Sequence, residues 1–229
     1  MPEDFSQRRL DTAAGASIYS PAILRLYDWW VLGISNRLAW KCPTKTILLP
    51  FYKEHIGRKD LDVGVGTGFY LANAGLSQTH EIALFDLNEN SLRTATARLK
   101  RTDLRIYNED VMRVPPEPIE RQYDSISLFY LLHCLPGTME DKEIAIANLK
   151  RYLARDGILY GATILGETAH NPFGRLLMNT YNHKKVFSNQ ADTMEGLQKI
   201  LGHQFAHVQV RQHNTVALFV AREPINAGR

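Results

Sequence analysis

The stretch from Leu61 to Gly68, with the sequence Leu-Asp-Val-Gly-Val-Gly-Thr-Gly, constrains the fold of this chain more than any other feature. An apolar run leads into glycines at every second position, and a helical pattern begins directly after them at Phe69. Glycine lets the backbone turn sharply and approach a ligand without a Cβ in the way. The loop also brings free backbone N–H groups to the start of a helix. This order of strand, loop and helix predicts the ligand-binding edge of an open α/β sheet.

Short apolar runs alternate with helical periods beyond this loop, which predicts βαβ units and a parallel sheet. The strand-like runs are Leu61–Val65, Ile82–Leu87, Leu104–Tyr107, Ser125–Tyr130 and Ile158–Ile164. Helices are expected over Asn88–Arg101 and Met139–Leu153, and the runs Phe205–Val210 and Val216–Ala221 favour a closing antiparallel hairpin. The predicted fold class is a doubly wound, seven-stranded, mostly parallel α/β sheet.

The two flanks of this pattern predict the domain organisation. Apolar residues recur at helical spacing from Ile23 to Ile34, so we expect an N-terminal helical arm or lid over residues 1–44. The ligand-binding domain then spans residues 45–229. An insertion at about residues 166–190 breaks the βα rhythm with polar and aromatic side chains, and we expect it to cover the substrate.

The composition favours a small-molecule partner. The chain has 229 residues and a formal net charge of +3, with no block of consecutive basic residues, which disfavours nucleic acid. Neither the two cysteines nor the eight histidines show a metal-ligand spacing, so no metal is expected. The N-terminus lacks a secretory pattern, and no apolar stretch approaches the roughly 20 residues of a membrane span. We therefore expect a cytoplasmic protein with no membrane partner, and the sequence leaves the oligomeric state open.

Two classes of ligand compete for the glycine loop. A dinucleotide-binding fold needs the pattern Gly-x-Gly-x-x-Gly, but Phe69 occupies the position of its last glycine. Asp62 stands directly before the first Val-Gly pair, and a carboxylate there repels a pyrophosphate but suits the amino group of an amino acid. A ligand with a cationic amino-acid end is therefore favoured over a dinucleotide.

Two further carboxylates follow the next two predicted strands. Asp86 ends the second strand, a position from which a carboxylate accepts hydrogen bonds from ribose hydroxyls. Asn88 lies in the same turn and is suited to cap the helix that follows. After the third strand, Asp110 is placed to accept from an exocyclic adenine amine, and Val111 to flank the ring. Together these residues predict a ligand that contains adenosine.

Five motifs in this order resemble the class I S-adenosylmethionine-dependent methyltransferases, over about residues 45–165. They are the run Asp62-Val63-Gly64-Val65-Gly66-Thr67-Gly68, then Asp86, Asp110, Tyr123-Asp124-Ser125-Ile126 and Leu153-Ala154-Arg155-Asp156-Gly157-Ile158. The resemblance implies S-adenosylmethionine as the cofactor. The alternative reading of the glycine loop is a tight turn without a ligand.

The resemblance also assigns the cofactor-binding residues. The methionine end of the cofactor is expected against Asp62, Gly64, Gly66, Thr67 and Gly68. The adenosine end is expected against Asp86, Leu87, Asn88, Asp110 and Val111. Tyr19 resembles an aromatic residue that some small-molecule members place over the cofactor, and its alternative is an aromatic residue of the core.

The end of the fourth strand faces the sulfonium in this family, which implies Phe129 beside the cofactor and Tyr130 at the reacting centre. An aromatic face near a cation is worth up to ~2 kcal/mol when desolvated. His133 is a candidate general base, with a structural role as its alternative. In the insertion, Tyr181 is a further catalytic candidate. Asn182 and Phe187 are expected to contact the substrate.

Three functions remain open at the level of sequence. The first is methyl transfer from S-adenosylmethionine to a small-molecule acceptor, an in-line displacement in which alignment supplies most of the catalysis. The second is an intramolecular displacement, in which S-adenosylmethionine closes to azetidine-2-carboxylic acid and methylthioadenosine. The third is nucleotide binding without chemistry, or nicotinamide oxidoreduction, which Asp62 and Phe69 disfavour.

Overall fold

The computed structural model describes Thr12, residues 28–114 and residues 123–225. Tyr19 and most of the predicted arm lie outside these residues, so their predicted roles stay predictions. The strands are β1 (Lys59–Val63), β2 (Glu81–Phe85), β3 (Arg105–Tyr107), β4 (Tyr123–Phe129), β5 (Leu153–Ile164), β6 (Phe205–His213) and β7 (Val216–Pro224). The helices are α1 (Asp28–Ala39), α2 (Thr44–Leu48), α3 (Leu49–His55), α4 (Phe69–Asn73), α5 (Glu89–Leu99), α6 (Met139–Lys150), α7 (Pro172–His183) and α8 (Met194–Gly202).

The strands form one seven-stranded sheet in the order β3-β2-β1-β4-β5-β7-β6. The first five strands in this order run parallel, whereas β7 is antiparallel to both β5 and β6. The chain order reverses between β1 and β4, and ligands bind at such a switch point, beyond the carboxyl ends of the strands. The predicted fold class and the C-terminal hairpin are confirmed.

The ends of several elements differ from the sequence prediction by a few residues. Val65 was expected to end the first strand, but β1 ends at Val63 because Gly64 has a φ of +72° and turns the chain. Leu153 was expected to end a helix, but α6 ends at Lys150 and Leu153 pairs with Tyr123 in the sheet. A strand partner across the sheet decides this end, and no local pattern in the sequence reports it.

Two apolar layers cover the sheet, one on each face. Leu61, Ile146 and Leu197 belong to the layer that packs under α6 and α8. Trp40 and Leu92 belong to the opposite layer, which the N-terminal helices, α5 and α7 cover. Helices on both faces bury the whole middle of a parallel sheet. Any polar group in the middle strands therefore needs a partner inside the protein.

Helix α1, which has π-type hydrogen bonding, packs against the insertion. The rings of Trp30 and Phe173 lie edge to face, 6.4 Å apart. The Asn171 amide donates to the carbonyls of Leu38 and Ala39 at the end of α1. The described part of the predicted arm is thus fixed to α7, although its role as a lid stays a prediction. A helix with the length and apolar character of a membrane span does not occur in the described ranges.

A buried ion pair fastens the end of the insertion to α6. The Lys142 ammonium lies 2.6 Å from the Asp192 carboxylate and donates to the Ser188 carbonyl at 2.7 Å. The two charged side chains are 0% and 2% exposed. A charge that loses its partner in such surroundings is strongly destabilising.

We expect Lys142→Met to lower the free energy of unfolding by about 3–5 kcal/mol, because it leaves the Asp192 carboxylate buried without a cation. Chemical denaturation measures the change. The matched control is Lys199→Met, which removes the exposed pair between Lys199 and Glu140 and should change little. Equal stabilities of the two variants would contradict the buried pair.

Candidate functional site

Two adjoining cavities open at the carboxyl ends of β1 and β4. The cavity we call the adenosine end is lined by Thr12, Val63, Gly64, Gly66, Phe85, Asp86, Leu87, Ser91, Glu109, Asp110, Val111, Phe129, Tyr130, Leu131, Cys134, Leu135 and Pro136. The cavity we call the methionine end is lined by Leu32, Asp62, Gly64, Val65, Gly66, Thr67, Phe69, Tyr70, Phe129 and Tyr130. Gly64, Gly66, Phe129 and Tyr130 line both. The structure thus brings most of the predicted cofactor-binding residues into one continuous cleft.

The glycine loop forms the floor where the two cavities meet. Gly64, Gly66 and Gly68 have φ angles of +72°, +52° and +68°, a region that residues with a Cβ rarely adopt. A Cβ on Gly64 would lie 3.1 Å from Leu131, and one on Gly68 would lie 2.9 Å from Ala95. The loop can therefore be built only without side chains at these positions.

Asp62, the second-last residue of β1, lines the methionine end. Its carboxylate accepts a hydrogen bond of 2.6 Å from Ser127. Burial, with a smaller contribution from the charge of Asp86, raises the pKa of Asp62 to about 7. A nearby cation favours the charged form of such a carboxyl. The site at Asp62 therefore fits the protonated amino group of an amino acid, as the sequence predicted.

Asp86 lies at the adenosine end in the turn after β2. Its carboxylate accepts from the Asn88 backbone N–H at 2.8 Å, and burial raises the pKa of Asp86 to about 6. The Asn88 side chain caps α5 by accepting from Asn90 and Ser91, so its contacts lie within the protein. The Asn108 amide donates to the carbonyls of Asp86 and Leu87 and fixes this turn. The turn thus holds Asp86 toward the cavity.

Asp110 and Val111 form the far wall of the adenosine end. One Asp110 oxygen accepts from the Met112 backbone N–H at 3.0 Å. The other accepts from the Thr12 hydroxyl at 2.7 Å. The Val111 carbonyl accepts from Asn148 of α6, which fixes the wall to the core. The sequence does not predict the role of Thr12, because no local pattern near residue 12 reports a contact with residue 110.

Three side chains join α1 to the glycine loop and α5. Asp28 accepts from the Thr67 hydroxyl at 2.5 Å and forms an ion pair of 2.7 Å with Arg98. Arg98 also donates to the Thr67 hydroxyl at 3.1 Å. These contacts hold α1 in the position from which Leu32 lines the methionine end. Thr67, predicted as a cofactor contact, therefore also has a bond to the N-terminal helix.

Phe129 and Tyr130 stand where the two cavities meet. The Phe129 ring lies 5.0 Å from Tyr52 and 4.8 Å from Tyr70, centre to centre. Tyr130 has a φ of +62°, and its backbone N–H donates to the Ala162 carbonyl at 2.8 Å. A non-glycine residue in this region stores backbone strain, which clusters at functional sites. The predicted positions of both residues beside a bound cofactor agree with this geometry.

His133 lies behind the cavity wall. Its side chain is 2% exposed, and its Nδ1 lies 3.3 Å from both the Thr163 hydroxyl and the Ile164 backbone nitrogen. Burial and the nearby charge of Lys142 lower the pKa of His133 to about 3. A buried imidazole with this pKa is a weak base and does not reach either cavity. These contacts favour the structural alternative over the predicted general base.

The predicted residues of the insertion also make contacts within the protein. The Tyr181 hydroxyl accepts from the Trp30 indole at 2.9 Å, and the Tyr181 and Phe187 rings lie 4.9 Å apart. The Asn182 amide donates to the Met178 carbonyl at 2.9 Å and to the Asn189 side chain at 3.1 Å. Tyr181, Asn182 and Phe187 thus hold the insertion together, and the structure does not bring them to the lining of either cavity. Their predicted substrate and catalytic roles stay predictions.

The segment after β4 supplies cavity wall that sequence reasoning missed. Leu131, Cys134, Leu135 and Pro136 all line the adenosine end. The rule that parallel strands end at the ligand edge points to this segment, but the pattern does not show which side chains turn inward. Burial raises the pKa of the Cys134 thiol to about 12, so it lines the cavity as an apolar group.

Comparisons with known proteins indicate the family of this chain. A family model described as a methyltransferase domain matches residues 61–159. The chain is 47% identical to the YbcY protein of Escherichia coli over 83% of this chain and 98% of that protein. It is 40% identical to the physcion biosynthesis cluster O-methyltransferase of Aspergillus chevalieri over 93% of this chain and 96% of that protein. The structure of the N-methyltransferase NodS from Bradyrhizobium japonicum, in complex with S-adenosyl-L-homocysteine, has a TM-score of 0.56 at 15% identity and covers 78% of this chain and 85% of that one.

The fold and the cleft define a protein with a candidate ligand site at the switch point of an α/β sheet. The chain belongs to the S-adenosylmethionine-dependent class I methyltransferases of the small-molecule type. Its cofactor is S-adenosylmethionine. The predicted family, activity and cofactor are thereby confirmed. The predicted residue roles are untested by these comparisons, and no observation favours the alternative cyclisation.

Metal ligation is a separate question. The described residues contain no group of three or more His, Cys, Asp or Glu side chains placed to hold a metal ion. The expectation of a metal-free site remains a prediction.

We expect Asp86→Ala to weaken the binding of S-adenosylhomocysteine about 10- to 100-fold, because hydrogen bonds to a charged group contribute about 1.5–3 kcal/mol. Isothermal titration calorimetry measures the affinity. Glu89→Ala is the matched control, because the exposed Glu89 pairs only across the surface with Arg93. Equal affinities of the two variants would show that Asp86 does not contact the cofactor.

Cofactor affinity should depend on pH through Asp62. Its raised pKa of about 7 means that the free carboxyl takes up a proton as the pH falls from 8 to 6.5. Binding of a cationic amino group then has to displace that proton, so the Kd of S-adenosylhomocysteine should rise, by at most about tenfold per pH unit. Asp62→Asn should bind weakly with a flat profile over the same range. A flat profile for the unmodified protein would contradict this assignment.

Proposed function

We propose that the acceptor is a phenolic hydroxyl on an aromatic small molecule, and that the product is its methyl ether. The relative from the physcion biosynthesis cluster carries the proposal, because that protein is an O-methyltransferase that shares 40% identity over nearly the whole length of both chains. A second relative, the Methyltransferase ctvB of Aspergillus terreus, is also 40% identical, over 94% of this chain.

The residues of the cleft are proposed to hold the cofactor in the orientation that the sequence predicted. Asp62 would receive the amino group, Asp86 the ribose hydroxyls, and Asp110 with Val111 the adenine. S-adenosylmethionine, when bound, supplies a methyl group that its sulfonium activates toward nucleophiles. The remaining catalytic work is alignment of an acceptor oxygen and exclusion of water, which well-oriented sites achieve without a strong base.

The burial and low pKa of His133 support an acidic acceptor. His133 is buried, with a pKa lowered to about 3, so it does not supply a base at neutral pH. A phenol has a pKa near 10, and electron-withdrawing rings lower it further, so the phenolate forms without a strong protein base. An aliphatic alcohol lacks this route. The aromatic rings at the end of β4, Phe129 and Tyr130, also present a flat apolar surface to a planar acceptor.

Substituted phenols of graded acidity provide the test. With S-adenosylmethionine, we expect S-adenosylhomocysteine and a methyl ether by mass spectrometry, with a pH midpoint of kcat/KM that follows the pKa of each phenol. Aliphatic alcohols of similar size serve as matched controls and should react at least tenfold more slowly, since they do not ionise near neutral pH.

Two outcomes would contradict the proposal. One pH midpoint shared by all phenols would indicate a protein base in place of acceptor ionisation. Methylthioadenosine formed from S-adenosylmethionine alone, without any acceptor, would instead support cyclisation.

A further inference from the structure

Two carboxyl groups and two hydroxyl groups form a polar cluster inside the sheet. Asp60 and Asp62 are two residues apart on β1 and therefore point to the same face. Their register partners on β4 are Ser125 and Ser127. Asp60, Ser125 and Ser127 are 0% exposed and Asp62 is 6% exposed. Two ionised carboxylates this close in a buried site repel each other strongly.

The hydrogen-bond donors of this cluster can be counted. The Ser125 oxygen accepts from the Gly57 backbone N–H at 2.8 Å. Its single hydrogen is donated to one oxygen of Asp60, in a short hydrogen bond. The donor capacity of Ser125 is then used up. The other Asp60 oxygen must find its partner elsewhere.

That partner is Ser127, which lies between the two carboxyl groups. Its oxygen is 2.6 Å from Asp62, 3.3 Å from the second oxygen of Asp60 and 3.5 Å from the Tyr52 hydroxyl, which can donate to it. A serine hydroxyl has one hydrogen, so it donates to only one of the two carboxyls. The other contact is a hydrogen bond only if that carboxyl carries a proton and donates to Ser127. Geometry therefore places one proton on the pair.

The complete burial of Asp60 places this proton on it. Of the two Ser127 contacts, the shorter is the one to Asp62, as expected when the hydroxyl donates to the ionised carboxylate. Asp62 also lines the methionine end, whereas Asp60 lies beneath it with no exposed surface. A buried carboxyl without a cation takes its neutral form.

The groups around the pair agree with a neutral Asp60. Tyr52 of α3 and Tyr160 of β5 face the cluster, and burial raises the pKa of both phenols, which stay neutral. Burial, then the charge of Asp62, raises the pKa of Asp60 itself, and Asp124 of β4 adds to this. Asp86, in the turn after β2, acts on Asp62 in the same direction. The His55 ring stacks on Tyr160, with ring centres 5.7 Å apart.

We propose that Asp60 is a protonated, neutral positioning residue, which donates to Ser127 and thereby directs the only Ser127 hydrogen to the ionised carboxylate of Asp62. The site then presents one negative charge, and not two, to one cationic amino group. The functional part of this inference rests on the proposed contact between Asp62 and that amino group. The proton on Asp60 itself is a property of the free protein.

The first experiment needs no cofactor. The folded protein keeps the Asp60 proton above the ordinary pKa of an aspartic acid, about 4, and unfolding releases it. The contribution to stability is therefore complete below that pKa and is lost as the pH rises. Between pH 5 and 7, the unfolding equilibrium constant should rise with pH more steeply for the unmodified protein than for Asp60→Asn. The difference corresponds to one bound proton, which is about a tenfold larger rise per pH unit.

The second experiment measures the affinity for S-adenosylhomocysteine as a function of pH by calorimetry. Asparagine at position 60 is neutral, and it can accept from Ser125 and donate to Ser127 as the protonated acid does. Asp60→Asn should therefore keep the affinity within about threefold and the pH midpoint unchanged. Asp60→Leu cannot donate to Ser127 and should bind up to about tenfold more weakly, the worth of one lost hydrogen bond.

The outcomes distinguish the proton on Asp60 from the cofactor contact of Asp62. An unchanged slope of stability against pH in Asp60→Asn would overturn the proton on Asp60. A pH midpoint that moves down by a unit or more in Asp60→Asn would overturn it as well, because removal of a negative charge lowers the pKa of Asp62. If Asp62→Asn binds as the unmodified protein does while the slope differs as expected, only the cofactor contact of Asp62 fails.

Discussion

The structure depends on carboxyl groups held in the middle of a sheet that helices cover on both faces. Burial raises the pKa of Asp62 to about 7 and makes an unsupported charge there unstable, so a cation beside it would stabilise its charged form. Ser127, on the neighbouring strand β4, supplies the bond that stabilises its ionised form. The choice of serine on a central strand, where apolar residues usually pack, follows from this requirement.

The walls of the cleft come from segments that are distant in the sequence. Thr12 contacts Asp110, and Asp28 contacts both Thr67 and Arg98, so these two residues make polar contacts at both ends of the cleft. Helix α1 is held in turn by α7 of the insertion. The position of this wall therefore depends on a few polar contacts between segments far apart in the chain.

The chemistry of the site follows from where its titratable groups lie. In the sequence, His133 lies between Leu131 and Cys134, which both line the adenosine end. Its ring nevertheless points into the core and packs on Phe187, with ring centres 4.5 Å apart. The charge of Lys142, which the Asp192 pair keeps beneath the site, further opposes protonation of the imidazole. With this burial and lowered pKa, His133 is poorly placed to act as a base.

The sequence by itself determined the sheet, the glycine loop and the carboxylates at the strand ends, because strand periodicity and the requirement for positive φ angles act over a few neighbouring residues. It also determined the family and the cofactor through the order of those motifs. Only the tertiary structure decided that His133, Tyr181, Asn182 and Phe187 turn to internal partners, and that Thr12 and Leu131 reach the cavity. Side-chain direction and pKa depend on contacts between segments far apart in the chain, and no local pattern encodes those contacts.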